Sequence, residues 1–242
     1  MTDERPATLF VIGTPIGNLE DITLRALRLL GEVDALACED TRRTRRIFER
    51  HGVPSPRVIF SYHEHNEERA SRKIVELLAE GLTVGLCTNA GMPSISDPGY
   101  DAISRAIEAG FRVEVIPGPS AVETALVVSG LPASSYVFKG FAPRKPGPRK
   151  RFLEAERDLP HTLVLFESPH RVGKLLADAL EVLGDRRACV CIELTKMFEQ
   201  TDRGYLGELA ERYRDLEVRG EVTVVIAGNH PKFIRPSESE AR

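Results

Sequence analysis

Tryptophan is absent from the 242-residue sequence, and aromatic residues of all kinds make up only 6% of it. A hydrophobic content of 42% and a charged content of 29% still suit a folded globular protein, so we expect a mostly aliphatic core. No apolar run approaches the roughly 20 residues that a membrane helix needs, and the polar start of the chain has no apolar signal core. We therefore expect a cytoplasmic protein with no membrane partner.

Cysteine is also scarce. The four cysteines include no CxxC pair, which disfavours a zinc site, and we expect no metal. Cys38 and Cys87 end apolar runs and are expected to be buried. Cys189 and Cys191 alternate along a run and so share one face of a strand. Reduced, cytosolic thiols are the simplest interpretation of all four.

Several familiar active-site signatures are missing. The turn 13–18 follows an apolar run, as a GxGxxG dinucleotide fingerprint would. It is not that fingerprint, because Pro15 and Ile16 interrupt the glycine pattern and no third glycine falls in register. No Gly-Lys-Ser/Thr follows it, which excludes a P-loop. The chain has no GxSxG elbow, which disfavours a Ser-His-Asp hydrolase.

The sequence does contain three loops of glycine, proline and small polar residues, each directly after an apolar run. They span residues 13–18, 88–99 and 117–120. Small residues let backbone amides and carbonyls approach a ligand closely, and open α/β sheets bind ligands at the carboxyl ends of their strands. One such loop would be no more than an ordinary turn. Three of them predict a small-molecule site.

Strands and helices alternate along the first half of the chain. Strands are predicted at 8–12, 34–38, 57–60, 82–87 and 112–116. Helical spacing after an N-cap at Asp21, and over 41–51, 67–80 and 98–110, fills the gaps. This order predicts βα units and a mostly parallel sheet.

The second half is less regular. Strands are predicted at 135–140, 162–166, 187–193 and 221–227, and helices at 148–157, 169–183 and 206–214. Residues 193–205 allow a further pair of strands, so a mixed sheet is expected. The fold class is α/β, with an N-terminal α/β domain over 1–130, a C-terminal α/β domain over 131–230 and a flexible tail over 231–242.

Two basic segments stand out in a chain whose formal net charge is −3. They cover residues 42–46 and 144–151. A solvated charged face is the commoner explanation of such a run. Two runs in a net acidic chain nevertheless indicate phosphate contacts with a nucleic acid. Binding to such a partner is expected to weaken as the salt concentration rises.

Three polar groups follow predicted strands, at 61–66, 167–171 and 193–196. The first, Ser-Tyr-His-Glu-His-Asn, suits base stacking, acid/base chemistry or metal binding, and equally suits a plain polar loop. Metal binding is least favoured there, because His63 and His65 alternate with a single residue between them.

Taken in order, eight motifs resemble those of a known family. They are VIGTPIGNLEDIT, CEDTR, SYHEHN, AGMPSISDPG, PGPSA, FESPHR, ELTK and RGEV. The set covers about residues 8–228 and is similar to that of ribosomal RNA 2′-O-methyltransferases in the tetrapyrrole methylase-like, class III S-adenosylmethionine (SAM)-dependent methyltransferases. GTPIGNL or PGPSA alone would indicate only the superfamily.

The resemblance implies two α/β domains with SAM folded in a cleft between them, and a homodimer. It also implies methylation of a cytidine 2′-hydroxyl in the decoding region of 16S rRNA, within the small ribosomal subunit. The residues carried over to cofactor binding are Gly13, Pro15, Ile16, Asn89, Ala90, Gly91, Met92, Pro93, Ser120, Ala121, Phe166, Met197 and Thr223. The residues predicted to bind RNA are Arg42, Arg43, His63, Asn66, Arg144, Lys145, Arg149 and Arg171.

Methyl transfer to a hydroxyl needs a group that accepts the hydroxyl proton. The candidates for a catalytic role are Glu167, Glu39 and Lys196, with Asp40 and His63 as further possibilities. Glu167 is favoured because it ends a strand opposite the proposed cleft.

Two positions depart from the resemblance. The family usually has aspartate at Asn89 and threonine at Met92. Asparagine keeps its hydrogen-bonding ability but loses the charge that would attract the SAM ammonium, so a lower affinity is expected. Two other functions stay open: a methyltransferase of the same superfamily acting on a tetrapyrrole or a protein side chain, and a noncatalytic ribosome-binding module.

Overall fold

The computed structural model of the chain describes residues 6–236. It contains two compact units, Met1–Ser120 and Ala121–Arg242, called here the first and second unit. The sequence places the boundary at residue 130 instead. The boundary lies before the predicted one in the chain because the helix after Ser120 packs on strands of the second unit.

The first unit is a five-stranded, wholly parallel sheet. Its strands are β1 (Thr8–Ile12), β2 (Ala35–Cys38), β3 (Val58–Ser61), β4 (Val84–Cys87) and β5 (Arg112–Ile116). They lie in the order β3-β2-β4-β1-β5. The predicted parallel sheet is confirmed. Since all strands run the same way, the loops that follow them meet at one edge of the sheet.

Helices cover both faces of this sheet. They are α1 (Leu24–Glu32), α2 (Thr41–His51), α3 (Glu67–Ala79) and α4 (Tyr100–Glu108). The apolar sides of α1 and α2 pack on one face, and those of α3 and α4 pack on the other. The predicted cap at Asp21 is wrong, because Asp21 ends a short 3₁₀ turn and the Thr23 side chain caps α1.

The second unit is a mixed five-stranded sheet. Its strands are β6 (Tyr136–Phe141), β7 (Thr162–Glu167), β8 (Arg187–Ile192), β9 (Gln200–Tyr205) and β10 (Val222–Ile226). They lie in the order β6-β7-β10-β8-β9, and only β6 and β7 are parallel. The expectation of a mixed sheet is therefore confirmed.

Four helices pack on the second sheet. They are α5 (Ala121–Ser129), α6 (Pro146–Glu154), α7 (Val172–Leu183) and α8 (Leu206–Arg212). Leucines of α7 and α8 join alternate residues of β7, β8 and β10 in one aliphatic core. The predicted pair of strands over 193–205 is wrong. Only β9 forms there, because Glu193 and Thr195 have positive φ angles of 52° and 65° that break the extended backbone.

The predicted tail, 231–242, begins with an ordered segment. Pro231–Phe233 form a 3₁₀ turn, and Ile234 bridges to Arg186. Residues 237–242 lie outside the described part of the chain. Within residues 6–236, none of the helices is long and apolar enough to cross a bilayer.

Candidate functional site

The first two glycine-proline loops are joined by a reciprocal backbone pair. The N–H of Thr14 donates to the carbonyl of Gly91 at 2.9 Å, and the N–H of Gly91 donates to the carbonyl of Thr14 at 3.0 Å. The Thr14 hydroxyl also donates to the carbonyl of Thr88 at 3.1 Å. Thr14 is not among the residues predicted from the sequence. Its only signal is a hydroxyl side chain between Gly13 and Pro15.

The third loop lies directly against the first. A Cβ atom built on Gly13 would lie 2.7 Å from the amide nitrogen of Gly118 and 2.6 Å from the sulfur of Met92. The two backbones therefore meet where no larger residue fits. The three loops form one cluster at the carboxyl edge of the first sheet, as the sequence predicts for a ligand site.

The second loop holds unusual backbone conformations. Ser94 and Ser96 have φ angles of 73° and 60°, in the region that favours glycine. Gly91 and Gly99 have φ angles of 81° and 149°. Such outliers persist only where the surrounding structure fixes them, and they cluster at ligand-binding segments.

Asn89 lies beside Glu39 in this cluster. The backbone N–H of Asn89 donates to Oε2 of Glu39 at 3.1 Å. The side-chain Oδ1 of Asn89 is buried and has no hydrogen-bond donor in the described part of the chain. An acceptor of this kind is costly unless a ligand or an ordered molecule satisfies it. It is therefore a ready acceptor for an N–H or O–H group of a bound molecule.

The other first-unit residues carried over to the cofactor also belong to these loops. Pro15 and Ile16 are buried in the first loop, and Pro93 is buried in the second. Ala90, Met92 and Ser120 are half-buried. The sequence thus located these residues as one group, although their roles toward a ligand stay predictions.

Tyr62 and Glu67 connect the 61–66 segment to the second loop. The Tyr62 hydroxyl donates to Oε1 of Glu67 and accepts the N–H of Ala102 at 3.3 Å, while Gly99 N–H also donates to Oε1 of Glu67. Burial, followed by the Glu67 hydrogen bond, raises the pKa of the Tyr62 hydroxyl. The only signal of this network in the sequence is a tyrosine in an otherwise polar run.

The two predicted RNA-binding residues of the 61–66 segment differ in their surroundings. The amide group of Asn66 accepts the N–H of His63 at 2.8 Å and donates to the carbonyl of Ser61 at 2.9 Å. This amide therefore holds the loop, which leaves it little capacity for RNA. His63 Nδ1 is buried without a partner within residues 6–236.

The arginines of α2 are exposed but not equivalent. Arg42 donates its side-chain Nε and Nη2 to Asp40, and Asp40 also caps α2 by accepting the Arg42 N–H. These bonds lower the pKa of Asp40 to about 2. Arg43 is exposed, and its side chain has no ion pair with any described residue. Arg43 is thus the freer of the two for a phosphate.

Phe166 and Thr223 are register partners on β7 and β10 of the second unit. Phe166 also contacts the ring of Phe138, with centroids 4.8 Å apart. Met197 lies in the β8–β9 connection and is 90% exposed. The structure thus groups Phe166 with Thr223 and puts Met197 on a separate loop.

Glu167 forms an ion pair with Arg171. Its side chain is fully buried, forms a salt bridge to Arg171 and accepts the N–H of Ser168 at 2.7 Å. Oε2 of Glu167 and Nη1 of Arg171 are buried without further partners in the described chain. Arg171 also forms the N-cap of α7. The two side chains thus neutralise each other, and each keeps one buried polar atom without a hydrogen bond.

Lys196 is fixed by two carboxylates. Its ammonium lies 2.7 Å from Oε1 of Glu193 and 3.0 Å from Oε2 of Glu221. Burial alone would lower the pKa of Lys196, but these two bonds outweigh it and raise that pKa. The side chain therefore stays protonated at neutral pH and is a poor base.

The second basic segment divides into a buried and an exposed part. Arg149 is only 4% exposed, and its Nε and Nη2 contact Oδ2 of Asp178 at 2.7 Å and 2.6 Å. The guanidinium is buried between α6 and α7, which leaves Arg149 little capacity to contact RNA. Arg144 and Lys145 are exposed, and their side chains have no ion pairs with described residues.

Residues 8–210 match the tetrapyrrole (corrin/porphyrin) methylases. The chain is 44% identical over 231 residues to a ribosomal RNA small subunit methyltransferase I of Halalkalibacterium halodurans, covering 96% of this chain and 79% of that protein. It is 41% identical over 220 residues to the protein of the same name from Thermotoga maritima, covering 91% and 98%.

Solved structures share the fold at lower identity. Uroporphyrin-III C-methyltransferase from Thermus thermophilus is 20% identical, with a TM-score of 0.63 over 90% of this chain and 94% of that one. Cobalt precorrin-4 methyltransferase is 19% identical, with a TM-score of 0.66 over 91% and 95%. This likeness concerns the fold alone.

Proposed function

We propose that this chain, which belongs to the tetrapyrrole methylase family and to the ribosomal RNA small subunit methyltransferase I group within it, methylates a cytidine 2′-hydroxyl in the decoding region of 16S rRNA. SAM is the methyl donor, and the RNA is bound within the small ribosomal subunit, in the cytoplasm. The protein acts as a homodimer. The observation that carries the proposal is the loop cluster of the first unit with the buried, unsatisfied Oδ1 of Asn89.

The residues of this cluster fit SAM in chemical terms. Asn89 Oδ1 lacks a donor, and SAM carries an ammonium and two ribose hydroxyls that can supply one. Gly13 and Gly91 keep the backbone open to a close ligand, while Pro15 and Pro93 fix the loops before binding. Ala121, Phe166, Met197 and Thr223 remain assigned to SAM by resemblance only.

The sulfonium of SAM, when bound, supplies a methyl group already activated for transfer. The protein must then align the ribose 2′-oxygen and accept its proton. Alignment supplies up to ~7–11 kcal/mol of the barrier reduction in ideal cases. A well-placed base contributes typically ~10²–10⁴-fold in rate.

Among the three candidate bases, Glu39 is the one we assign to the proton. Its Oε2 is held by Asn89 N–H, and its Oε1 has no hydrogen bond to any described residue. Glu167 is enclosed in its pair with Arg171, and Lys196 is already protonated. Glu39 Oε1 therefore takes the 2′-hydroxyl proton in the proposed reaction, while Arg43, Arg144 and Lys145 hold phosphates.

A direct test measures the transfer of a labelled methyl group from SAM to small subunits that lack the modification. Naked 16S rRNA is assayed in parallel. Transfer to a cytidine 2′-oxygen is the expected product. SAM binding by calorimetry without transfer to any RNA would favour the noncatalytic module. Transfer to a tetrapyrrole or a protein side chain would favour the superfamily alternative.

The base assignment has its own matched pair of variants. Glu39→Gln retains an acceptor for Asn89 N–H but loses the base, so single-turnover transfer at saturating SAM should fall by roughly 10²-fold or more. Glu167→Gln should instead lower thermal stability and leave the folded enzyme's single-turnover rate nearly intact. Equal rates for Glu39→Gln and wild type would remove Glu39 from the mechanism.

A further inference from the structure

We propose that a basic groove along the edge of the first sheet, here called the β3–α3 groove, binds the phosphodiester backbone of the RNA substrate. The proposal rests on the function proposed above. The groove has a volume of about 580 Å³. Its lining includes Phe60 and Ser61 of β3 and Arg69, Arg72, Lys73 and Glu76 of α3.

Positive charge dominates this groove. Three of the lining side chains are cations and one, Glu76, is a carboxylate. Arg72 is partly neutralised, because its Nη2 lies 3.3 Å from Oε1 of Glu68. Arg69 and Lys73 have no salt bridge to any carboxylate within residues 6–236, and both are exposed. These two cations are therefore available to an external anion.

An aromatic ring adds a second feature that suits nucleic acid. The Lys73 ammonium lies 4.2 Å from the centre of the Phe60 ring, in a cation–π contact. Phe60 is half-buried. Grooves that follow a single-stranded backbone combine these elements: cations for phosphates and rings for bases.

The position of the groove relates it to the loop cluster. Among the strands of residues 6–236, β3 pairs only with β2 and so lies at the edge of the sheet, and it ends at Ser61, in register with Cys38 of β2. The groove therefore begins at the carboxyl edge of the sheet, where the glycine-proline loops lie. Arg69 and Lys73 are one helical turn apart, about 6 Å along the axis. Their line along α3 suits an extended polyanion that continues away from the loop cluster.

Two double variants of the full-length protein isolate this groove. Arg69→Gln with Lys73→Gln removes both unpaired cations. Arg25→Gln with Arg28→Gln is the control for the change in charge: it removes two exposed arginines of α1, a helix on the opposite face of the same sheet, and of these Arg28 pairs with Glu32. RNA affinity is measured without SAM over a range of salt concentrations, with naked 16S rRNA and with small subunits that lack the methyl group.

The groove variant should weaken binding to both RNA forms by roughly tenfold, and its slope of log Kd against log salt should be shallower by about 1.4 for two single-strand phosphate contacts. In methyl transfer, KM for the subunit should rise by a similar factor. The SAM affinity should match that of wild type. The control variant should keep the wild-type slope.

A salt slope equal to that of the control would overturn the proposal. Loss of affinity for the subunit but not for naked RNA would also overturn it, since the groove would then contact a ribosomal protein. Because RNA binding is read without methyl transfer, these outcomes stay distinct from a failure of the proposed activity, which would appear as an inactive wild-type enzyme.

Discussion

The hydroxyl of Tyr62 donates a hydrogen bond to Oε1 of Glu67 over 2.9 Å, and the same oxygen accepts the N–H of Gly99 over 3.0 Å. Tyr62 ends up only 1% exposed, between the first turn of α3 and the start of α4. One carboxylate oxygen thus ties the 61–66 segment to the end of the second loop. The backbone shape of that loop depends on a contact made far from it in sequence.

Tyr62→Phe should therefore destabilise the protein by about 1–2 kcal/mol, because the Ala102 N–H loses its acceptor and Glu67 loses a donor. Urea unfolding gives the free energy of unfolding directly. Tyr100→Phe is the matched control: Tyr100 is 74% exposed, and its loss of a hydroxyl should change stability by less than ~0.5 kcal/mol. Equal effects of the two substitutions would argue against the network.

Gly13→Ala should force the first and third loops apart. The new Cβ would lie 2.8 Å from Cα of Gly118, a backbone atom that cannot move aside alone. Overpacking of this kind costs roughly 1–3 kcal/mol, and we expect SAM affinity to fall about tenfold or more. Gly147→Ala is the control, since its Cβ meets nothing closer than 3.8 Å. Calorimetric titration measures the SAM affinity of both variants. Equal SAM affinities would count against the proposed site.

Asn89→Asp should tighten SAM binding several-fold. The substitution puts a negative charge at the buried, unsatisfied Oδ1 position, where the SAM ammonium or its hydroxyls would donate charge-assisted hydrogen bonds. Asn89→Leu, which removes the acceptor, should weaken binding. Isothermal titration of both variants with SAM measures the expected gain and the expected loss of SAM affinity. Unchanged affinity in both would place Asn89 outside the cofactor site.

Asp40 should make the protein's stability depend on pH in the acid range. Its pKa is lowered from 3.8 to about 2 in the folded state, so its contribution is complete above pH ~4 and is lost as the pH falls toward 2. Asp40→Asn keeps a capping oxygen but cannot titrate. The stability difference between wild type and this variant should shrink from pH 6 to pH 2, as read from urea midpoints. A difference that stayed constant with pH would contradict the ion pair with Arg42.

Asp178→Asn should be strongly destabilising, by about 3–5 kcal/mol, because it leaves the Arg149 guanidinium buried and unpaired. Arg144→Gln, five residues away on the exposed side of the same segment, should leave stability within ~0.5 kcal/mol and reduce RNA affinity. Thermal melts and RNA titrations of the two variants separate the roles. Unchanged stability with reduced RNA affinity for Asp178→Asn would instead support a contact between Arg149 and RNA.

Local pattern was sufficient for much of the fold. The helix Thr41–His51 and the strands Thr8–Ile12 and Arg112–Ile116 have the bounds that the sequence predicts. The pair of strands predicted over 193–205 is wrong at its start, where Glu193 has a positive φ angle and its Oε1 accepts the N–H of Glu221, which lies 28 residues away in the chain. Short-range propensity carries no information about such contacts.

The sequence by itself determined the α/β class, the parallel first sheet and the gathering of three loops at one edge, because periodicity and loop composition are local properties. Only the tertiary structure decided which charged side chains are available. Arg149 and Arg43 are both arginines in basic runs, yet one is buried on Asp178 and the other is exposed. Burial and pairing depend on residues distant in the chain, such as Asp178 for Arg149 and Glu67 for Tyr62. A linear pattern does not encode them.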